Sequence, residues 1–217
     1  MVILYTYKNG VYINLNDISQ KEKNSIRHNI YVNLTNKCSC SCTFCLRNTK
    51  EMAKSNSLWL DREPTYDEII AEFEKYDITK FNEIIFCGFG EPTMVLDTLL
   101  QVAIYLKNRS SNTPIRINTN GLGDLVHEKE IAPLFKELVD TVSISLNASN
   151  AEEYLRLTRN KFGIESYDAM LKFAVNCKSY VPNVVMTVVD CIGQKEIDAC
   201  QVVCDKIGVT LRIRPFE

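Results

Sequence analysis

Short β-branched runs alternate with longer amphipathic windows along this sequence. The alternation predicts an α/β fold: a partial (β/α)6 TIM-like barrel of parallel strands with an N-terminal β-hairpin. Two further observations shape that prediction. Of the 217 residues, 46% are apolar and 24% charged, an ordinary balance for a chain that buries a hydrophobic core. Several strand candidates also carry polar residues on one face, where a closed barrel would carry bulky apolar ones.

The elements follow in order. The runs 3–7 and 11–15 flank Lys8-Asn9-Gly10, and Asn-Gly favours a tight hairpin turn. Residues 1–28 are therefore read as a hairpin extension, and 29–217 as one core domain. Strand candidates are 30–35, 83–87, 114–119, 141–146, 184–189 and 210–214. Between them, apolar residues recur at i, i+3, i+4 or i+7, as on one face of a helix. These windows are Ile69/Ile70/Phe73/Tyr76, Leu99/Leu100/Ala103/Leu106, Ile131/Leu134/Phe135/Leu138, Met170/Phe173/Ala174/Cys177 and Ile197/Cys200/Cys204/Ile207. The last should open near Gln194 and stop at Gly208, a glycine in the helix-ending position. Repeated strand–helix–strand units pair in parallel through right-handed crossovers.

Asn33 and Thr35 share one face of their strand, as do Arg116, Asn118 and Asn120. Ser143, Ser145 and Asn147 share another, and Arg212 and Arg214 a fourth. If the sheet curls, helices cover its apolar side and the interior is polar, open to a polar ligand. An open doubly wound sheet wetted at its edges is the other reading.

Composition excludes several classes. With 25 basic and 27 acidic residues the net charge is −2, so nothing pulls the chain globally toward nucleic acid or anionic membrane. No apolar run approaches the roughly 18 residues of a membrane span. The opening MVILYTYKNG lacks the basic and apolar regions of a signal peptide, so a cytoplasmic setting is expected. There the nine cysteines should be reduced thiols, and with only two histidines a bound metal would be held by sulfur.

Four of those cysteines, Cys38, Cys40, Cys42 and Cys45, fall within eight residues directly after the first core strand. Loops at strand C-termini are where parallel α/β folds place chemistry. Two spacings are available: C-x3-C-x2-C from Cys38, Cys42 and Cys45, or C-x-C-x-C-x2-C from all four. A structural zinc site staples two distant segments, which one compact loop cannot do. A compact iron–sulfur cluster suits it better, with three irons each bound by one thiolate and a fourth left open. A zinc or redox-thiol module on the same cysteines is the competing reading.

Cys38-x3-Cys42-x2-Cys45, with Phe44 before the last cysteine, resembles the signature of the radical S-adenosylmethionine (radical SAM) superfamily. Gly88-Phe89-Gly90-Glu91-Pro92 resembles that family's Gly-Gly-Glu-Pro motif. Asn118-Thr119-Asn120-Gly121 is similar to its Thr-Asn-Gly turn, and Ser145-Leu146-Asn147-Ala148 to its Ser-x-Asp ribose motif. The matches fall in family order, each at a strand end, and span nearly the whole chain. Phe89 stands where a second glycine is common, and Asn147 where an aspartate is.

The resemblance implies a [4Fe-4S] cluster on Cys38, Cys42 and Cys45, with Cys40 a non-ligand, and S-adenosylmethionine on its open iron. Reductive cleavage would give methionine and a 5′-deoxyadenosyl radical that abstracts hydrogen from an unknown substrate. Candidate cofactor contacts are Phe44, Gly88, Phe89, Gly90, Glu91, Asn118, Asn120, Ser145, Asn147 and Arg214. Arg212 and Arg214 should face the interior and meet an anion, either the methionine carboxylate or an acidic group of the substrate. A flavodoxin or ferredoxin would donate electrons. The runs 42–48 and 88–93, with Tyr154-x2-Leu157-x-Arg159, look most like the small TatD-associated radical SAM proteins, which implies a link to a TatD-family nuclease. Activating enzymes for glycyl-radical proteins are the alternative within the family. The loop 49–64, with Met52 and Trp59, is a candidate lid. Cys87, Cys177, Cys191, Cys200 and Cys204 are read as outside any second cluster.

Overall fold

In a computed structural model of the protein, residues 1–19, 28–49 and 57–216 are described. The strands follow one another in the sheet order β2-β1-β3-β4-β5-β6-β7-β8, so the sheet is not closed and β2 and β8 are its edges. The chain divides into two compact units, 1–37 with 51–117 and 38–50 with 118–217.

In the first unit, β1 (Leu4–Lys8) and β2 (Val11–Asn14) form the antiparallel hairpin. Asn9 and Gly10 turn it with φ of 52° and 81°, which is why Asn-Gly was legible as a turn. β1 then pairs antiparallel with β3 (Asn29–Val32), so the hairpin continues the sheet. β3, β4 (Glu83–Phe86) and β5 (Ile115–Thr119) pair in parallel, as strand–helix–strand alternation requires. Ile30, Val32, Ile84, Ile85, Phe86 and Ile117 are fully buried along them. Helix α1 (Tyr66–Glu74) starts on a capping box, Thr65 and Glu68 each bonding the other's backbone. It buries Ile69 and Phe73, and α2 (Leu96–Arg109) buries Leu99, Val102, Ala103 and Leu106.

In the second unit, β6 (Thr141–Ser145), β7 (Asn183–Val189) and β8 (Thr210–Arg214) pair in parallel. Its longer helices are α3 (Ala151–Thr158), α4 (Ser166–Cys177) and α5 (Gln194–Ile207). Gly208 ends α5 with φ of 64°, as expected of a left-handed helix stop. Cys177, Cys200 and Cys204 lie in the core beside Met170 and Phe173, as small hydrophobes do.

Three elements differ from the sequence-based expectation. The window 131–138 forms only a short 3-10 turn, Ala132–Phe135. Pro133 falls in the first turn, where a helix tolerates it, but Lys136 turns out of the helical region at ψ of 130° and Glu137 sits at φ of 64°, so the segment stops after one turn. Helix α3 had no window assigned, although Asn150 and Glu153 mark its start: the Asn150 side chain accepts from the Glu153 amide at 3.0 Å. The strand expected at 30–35 stops at Val32, and past it the side chains of Asn33, Thr35 and Asn36 bond to residues 58–63.

Candidate cofactor site

The cysteine loop belongs to the second unit. Its backbone is pinned at three points: Ser41 N donates to Thr158 O at 2.9 Å, Thr43 N to Leu157 O at 2.9 Å, and Lys161 N to Ser39 O at 3.1 Å. The first two partners are carbonyls in the last turn of α3, which no helical amide can reach. Arg159, at φ of 46°, ends the helix there. A helix end left with orphan acceptors thus holds the loop, a role that residues 157–161 did not advertise in sequence.

None of the nine cysteines forms a disulfide. Cys38, Cys42 and Cys45 are half-buried, and Cys40 is buried. The Cys38 Sγ accepts from the Cys40 amide at 3.4 Å and from Asn120 Nδ2 at 3.8 Å. Asn120 Nδ2 also donates to Ser39 Oγ at 3.0 Å and Cys40 Sγ at 3.5 Å, while its Oδ1 accepts from Leu122 N at 3.0 Å. That last bond holds the amide still, so its donor stays aimed at the loop.

The thiols interact with one another. Hydrogen bonds to Cys38 and Cys42, then burial, push the Cys40 thiol far up, so it stays protonated. The Cys40 hydrogen bond brings Cys42 down, with a smaller contribution from Arg47. Burial raises Cys45 against the opposing pull of Arg47. Among the described residues no group of three or more Cys, His, Asp or Glu side chains stands ready to hold a metal ion. The loop nonetheless supplies what a thiolate-bound cluster needs: soft donors within electrostatic reach of each other, a nearby cation, and an amide donor on one sulfur. Cys40 is the one buried thiol of the four.

The glycine turn is built within the first unit. A Cβ on Gly90 would lie 2.2 Å from Thr35 O and 2.8 Å from Lys37 O, and one on Gly88 would lie 2.1 Å from Asn33 Oδ1. Neither glycine has positive φ. They let the turn cross closely over the segment leaving β3, a packing demand beside the cofactor contact that the resemblance implies for them. Glu91 is 4% exposed. Its amide donates to Lys37 O at 2.8 Å, and its Oε1 accepts from Thr93 N at 3.1 Å and Thr93 Oγ1 at 2.8 Å.

Residues 57–63 are strapped to that same segment. Asn33 Nδ2 donates to Leu58 O at 2.7 Å, and Asn36 brackets Leu60 through its backbone N and O at 3.1 and 2.7 Å. Glu63 accepts from Thr35 Oγ1 at 2.6 Å and pairs with Lys37 at 3.0 Å. The Thr35 bond, then Lys37, hold its carboxyl below the usual range. Trp59 is 48% exposed and meets the buried Phe89 ring edge-on at 5.2 Å. Met52 lies outside the described residues.

The remaining candidates are in the second unit. Asn118 is half-buried, its Oδ1 shielded and unpartnered. Phe44 and Ser145 are half-buried. Asn147 is buried at φ of 64°, a conformation asparagine tolerates better than most residues. In the first unit, Arg116 is taken by an ion pair with Glu83 at 3.0 Å. Burial pushes Cys200 and Cys204 up to about 12 and about 11. Cys191 is exposed.

Residues 32–200 match the sequence profile of the Radical SAM superfamily, and the chain belongs to that superfamily. Enzymes of this family use a [4Fe-4S] cluster and S-adenosylmethionine, and the donor set of the cysteine loop fits the first. GTP 3',8-cyclase of Corynebacterium glutamicum (strain ATCC 13032) is 31% identical over 140 residues, 62% of this chain and 34% of that protein. The corresponding protein of Paenarthrobacter nicotinovorans is 27% identical over 134 residues, 60% of this chain and 35% of that one. The matched region is thus about a third of these curated relatives' length. Among solved structures, Streptococcus suis SuiB bound to precursor peptide SuiA aligns with TM-score 0.63 at 15% identity, covering 91% of this chain and 42% of that one. A radical SAM methyltransferase from Sphaerobacter thermophilus aligns with TM-score 0.56 at 15% identity, covering 98% and 72%. These likenesses show the fold, the partial barrel of the family. No helix among the described residues is long and apolar enough to cross a membrane.

Proposed function

We propose that this protein is a radical SAM enzyme that cleaves S-adenosylmethionine reductively and uses the resulting radical on a substrate still to be identified. The observation that carries the reading is the pinned loop with three half-buried cysteines in C-x3-C-x2-C spacing, inside a chain of this superfamily. Cys38, Cys42 and Cys45 are the cluster ligands in this reading, and Cys40 is not. Held by Cys38, Cys42 and Cys45, a [4Fe-4S] cluster would supply the one-electron reduction that cleaves S-adenosylmethionine. The chain's own residues then have positional work. Gly88, Phe89, Gly90 and Glu91 meet the methionine end. Phe44 meets the adenine, and Asn118, Asn120, Ser145 and Asn147 meet the ribose and its surroundings. Arg47 offsets charge on the thiolates. Trp59, strapped against Phe89, is the candidate lid residue.

Among family members we place the chain with the small TatD-associated radical SAM proteins, on the motifs at 42–48, 88–93 and 154–159. That placement implies a cytoplasmic setting, a flavodoxin or ferredoxin as electron donor, and a functional link to a TatD-family nuclease.

Anaerobic reconstitution with iron and sulfide tests the site. The wild-type protein should turn brown with the absorption and magnetic signature of a [4Fe-4S] cluster. Cys38→Ala, Cys42→Ala and Cys45→Ala should each lose it, since a three-thiolate cluster has no spare ligand. Cys40→Ala should keep most of its iron. A colourless protein carrying zinc would contradict the reading. A cluster that survives Cys38→Ala but not Cys40→Ala would overturn the triplet.

A further inference from the structure

The last three strands carry a polar face from which the proposed cofactor contacts take only Ser145; Arg214, a cofactor contact by resemblance alone, is reassigned here to the substrate. Their register aligns Ser145 with Thr187 and Thr187 with Arg212, and sets Val189 beside Arg214. Paired residues in parallel strands share a face. On the opposite face Val142, Ile144, Met186 and Val188 are wholly buried core. On this face Ser143 and Thr187 are also buried, at 4% and 2% exposure. Arg212 and Arg214 are half-buried, while Ile213 between them is 51% exposed. An edge strand in water normally does the reverse. Here the apolar residue meets solvent and the two cations lie on the sheltered, hydroxyl-bearing side.

Sheltering a cation costs free energy unless an anion or acceptor meets it. The Nε of Arg214 is shielded from solvent and has no hydrogen-bond partner, and among the described residues Arg214 has no ion pair. Asp190, just past the strand neighbour of Arg214, has its Oδ1 engaged by the Phe216 amide at 2.9 Å. Two guanidinium groups two residues apart on a strand start roughly 6–7 Å from one another. Each presents a planar fork suited to a carboxylate or phosphate. They lie at the C-terminal end of a parallel strand, where ligands of α/β sheets bind.

We infer that Arg212 and Arg214 form an oxyanion subsite that binds a carboxylate or phosphate group of the substrate. This deepens the enzyme reading above and rests on it: the substrate class is an anion. The methionine carboxylate of S-adenosylmethionine has the same chemistry, so the test must separate the two sources.

Inorganic phosphate, titrated at constant ionic strength into the cluster-loaded protein, is the probe. It should bind the wild type and bind at least tenfold more weakly to Arg214→Gln and Arg212→Gln. Arg214→Lys should retain part of the affinity, which excludes simple misfolding. Lys172→Gln, at an exposed lysine paired with Glu130, should bind as wild type does. S-adenosylmethionine affinity should change less than threefold in both glutamine variants. Phosphate that fails to bind, or that is lost equally in Lys172→Gln, overturns the subsite. S-adenosylmethionine affinity that falls tenfold in the glutamine variants assigns the arginines to methionine and also overturns it. A protein that assembles no cluster refutes the enzyme reading instead, and the same phosphate titration of that protein still decides the subsite.

Discussion

A methyl group on Gly90 would sit 2.2 Å from the carbonyl oxygen of Thr35, with Lys37 O close behind at 2.8 Å. Both obstacles are backbone, and the segment carrying them is held by Asn33, Asn36 and Glu63. Gly90→Ala should therefore destabilise the protein by about 1–3 kcal/mol or more, read from the urea unfolding midpoint. An unchanged midpoint would mean the crossing is looser than described. At this scale the sequence was legible where chemistry is distinctive. Four clustered thiols and a Gly-x-Gly-Glu turn announce themselves without any packing information. The bonds of Asn33, Thr35 and Asn36 to residues 58–63 were not legible. A side chain that meets another segment some 25 residues away leaves no period in the sequence.

At the scale of the element, α3 shows how a small helix serves the site. Its N-terminus depends on Asn150, whose side chain accepts from the Glu153 amide, and its last carbonyls hold Ser41 and Thr43 of the cysteine loop. Asn150→Ala should cost about 1 kcal/mol of stability by thermal unfolding. It should also speed the loss of iron to a chelator, because fraying of α3 loosens the loop. Asn150→Asp, another good cap, should keep both properties near wild type. Equal chelation rates in all three proteins would uncouple the helix from the loop. The eight residues of α3 are too few for a strong periodic pattern, with only Tyr154 and Thr158 buried, so only its cap was readable. The window 131–138 failed in the opposite sense. Its apolar spacing was helical, and Ile131 and Phe135 are indeed buried, but the backbone leaves the helical region at Lys136 and Glu137, which limits the segment to a 3-10 turn.

For the whole molecule, strand–helix alternation was enough to expect parallel pairing, because a crossover helix leaves few other topologies. The structure bears this out within β3–β5 and within β6–β8. The superfamily match over residues 32–200 agrees with motifs read from the same stretch. What a sequence of this kind does not carry is the substrate, since one fold and one cofactor pair serve many reactions. The two arginines of β8 narrow that question to an anion. The central claim is narrower still, that the chain breaks the C5′–S bond of S-adenosylmethionine by one-electron reduction. Its most direct test is to reduce the reconstituted protein with dithionite under strict anaerobiosis, add S-adenosylmethionine alone, and quantify the products by mass spectrometry. The account predicts slow release of 5′-deoxyadenosine and methionine in equal amounts, and none from Cys45→Ala. Intact S-adenosylmethionine over a fully clustered, reduced protein, or transfer of the aminocarboxypropyl fragment instead, would contradict it.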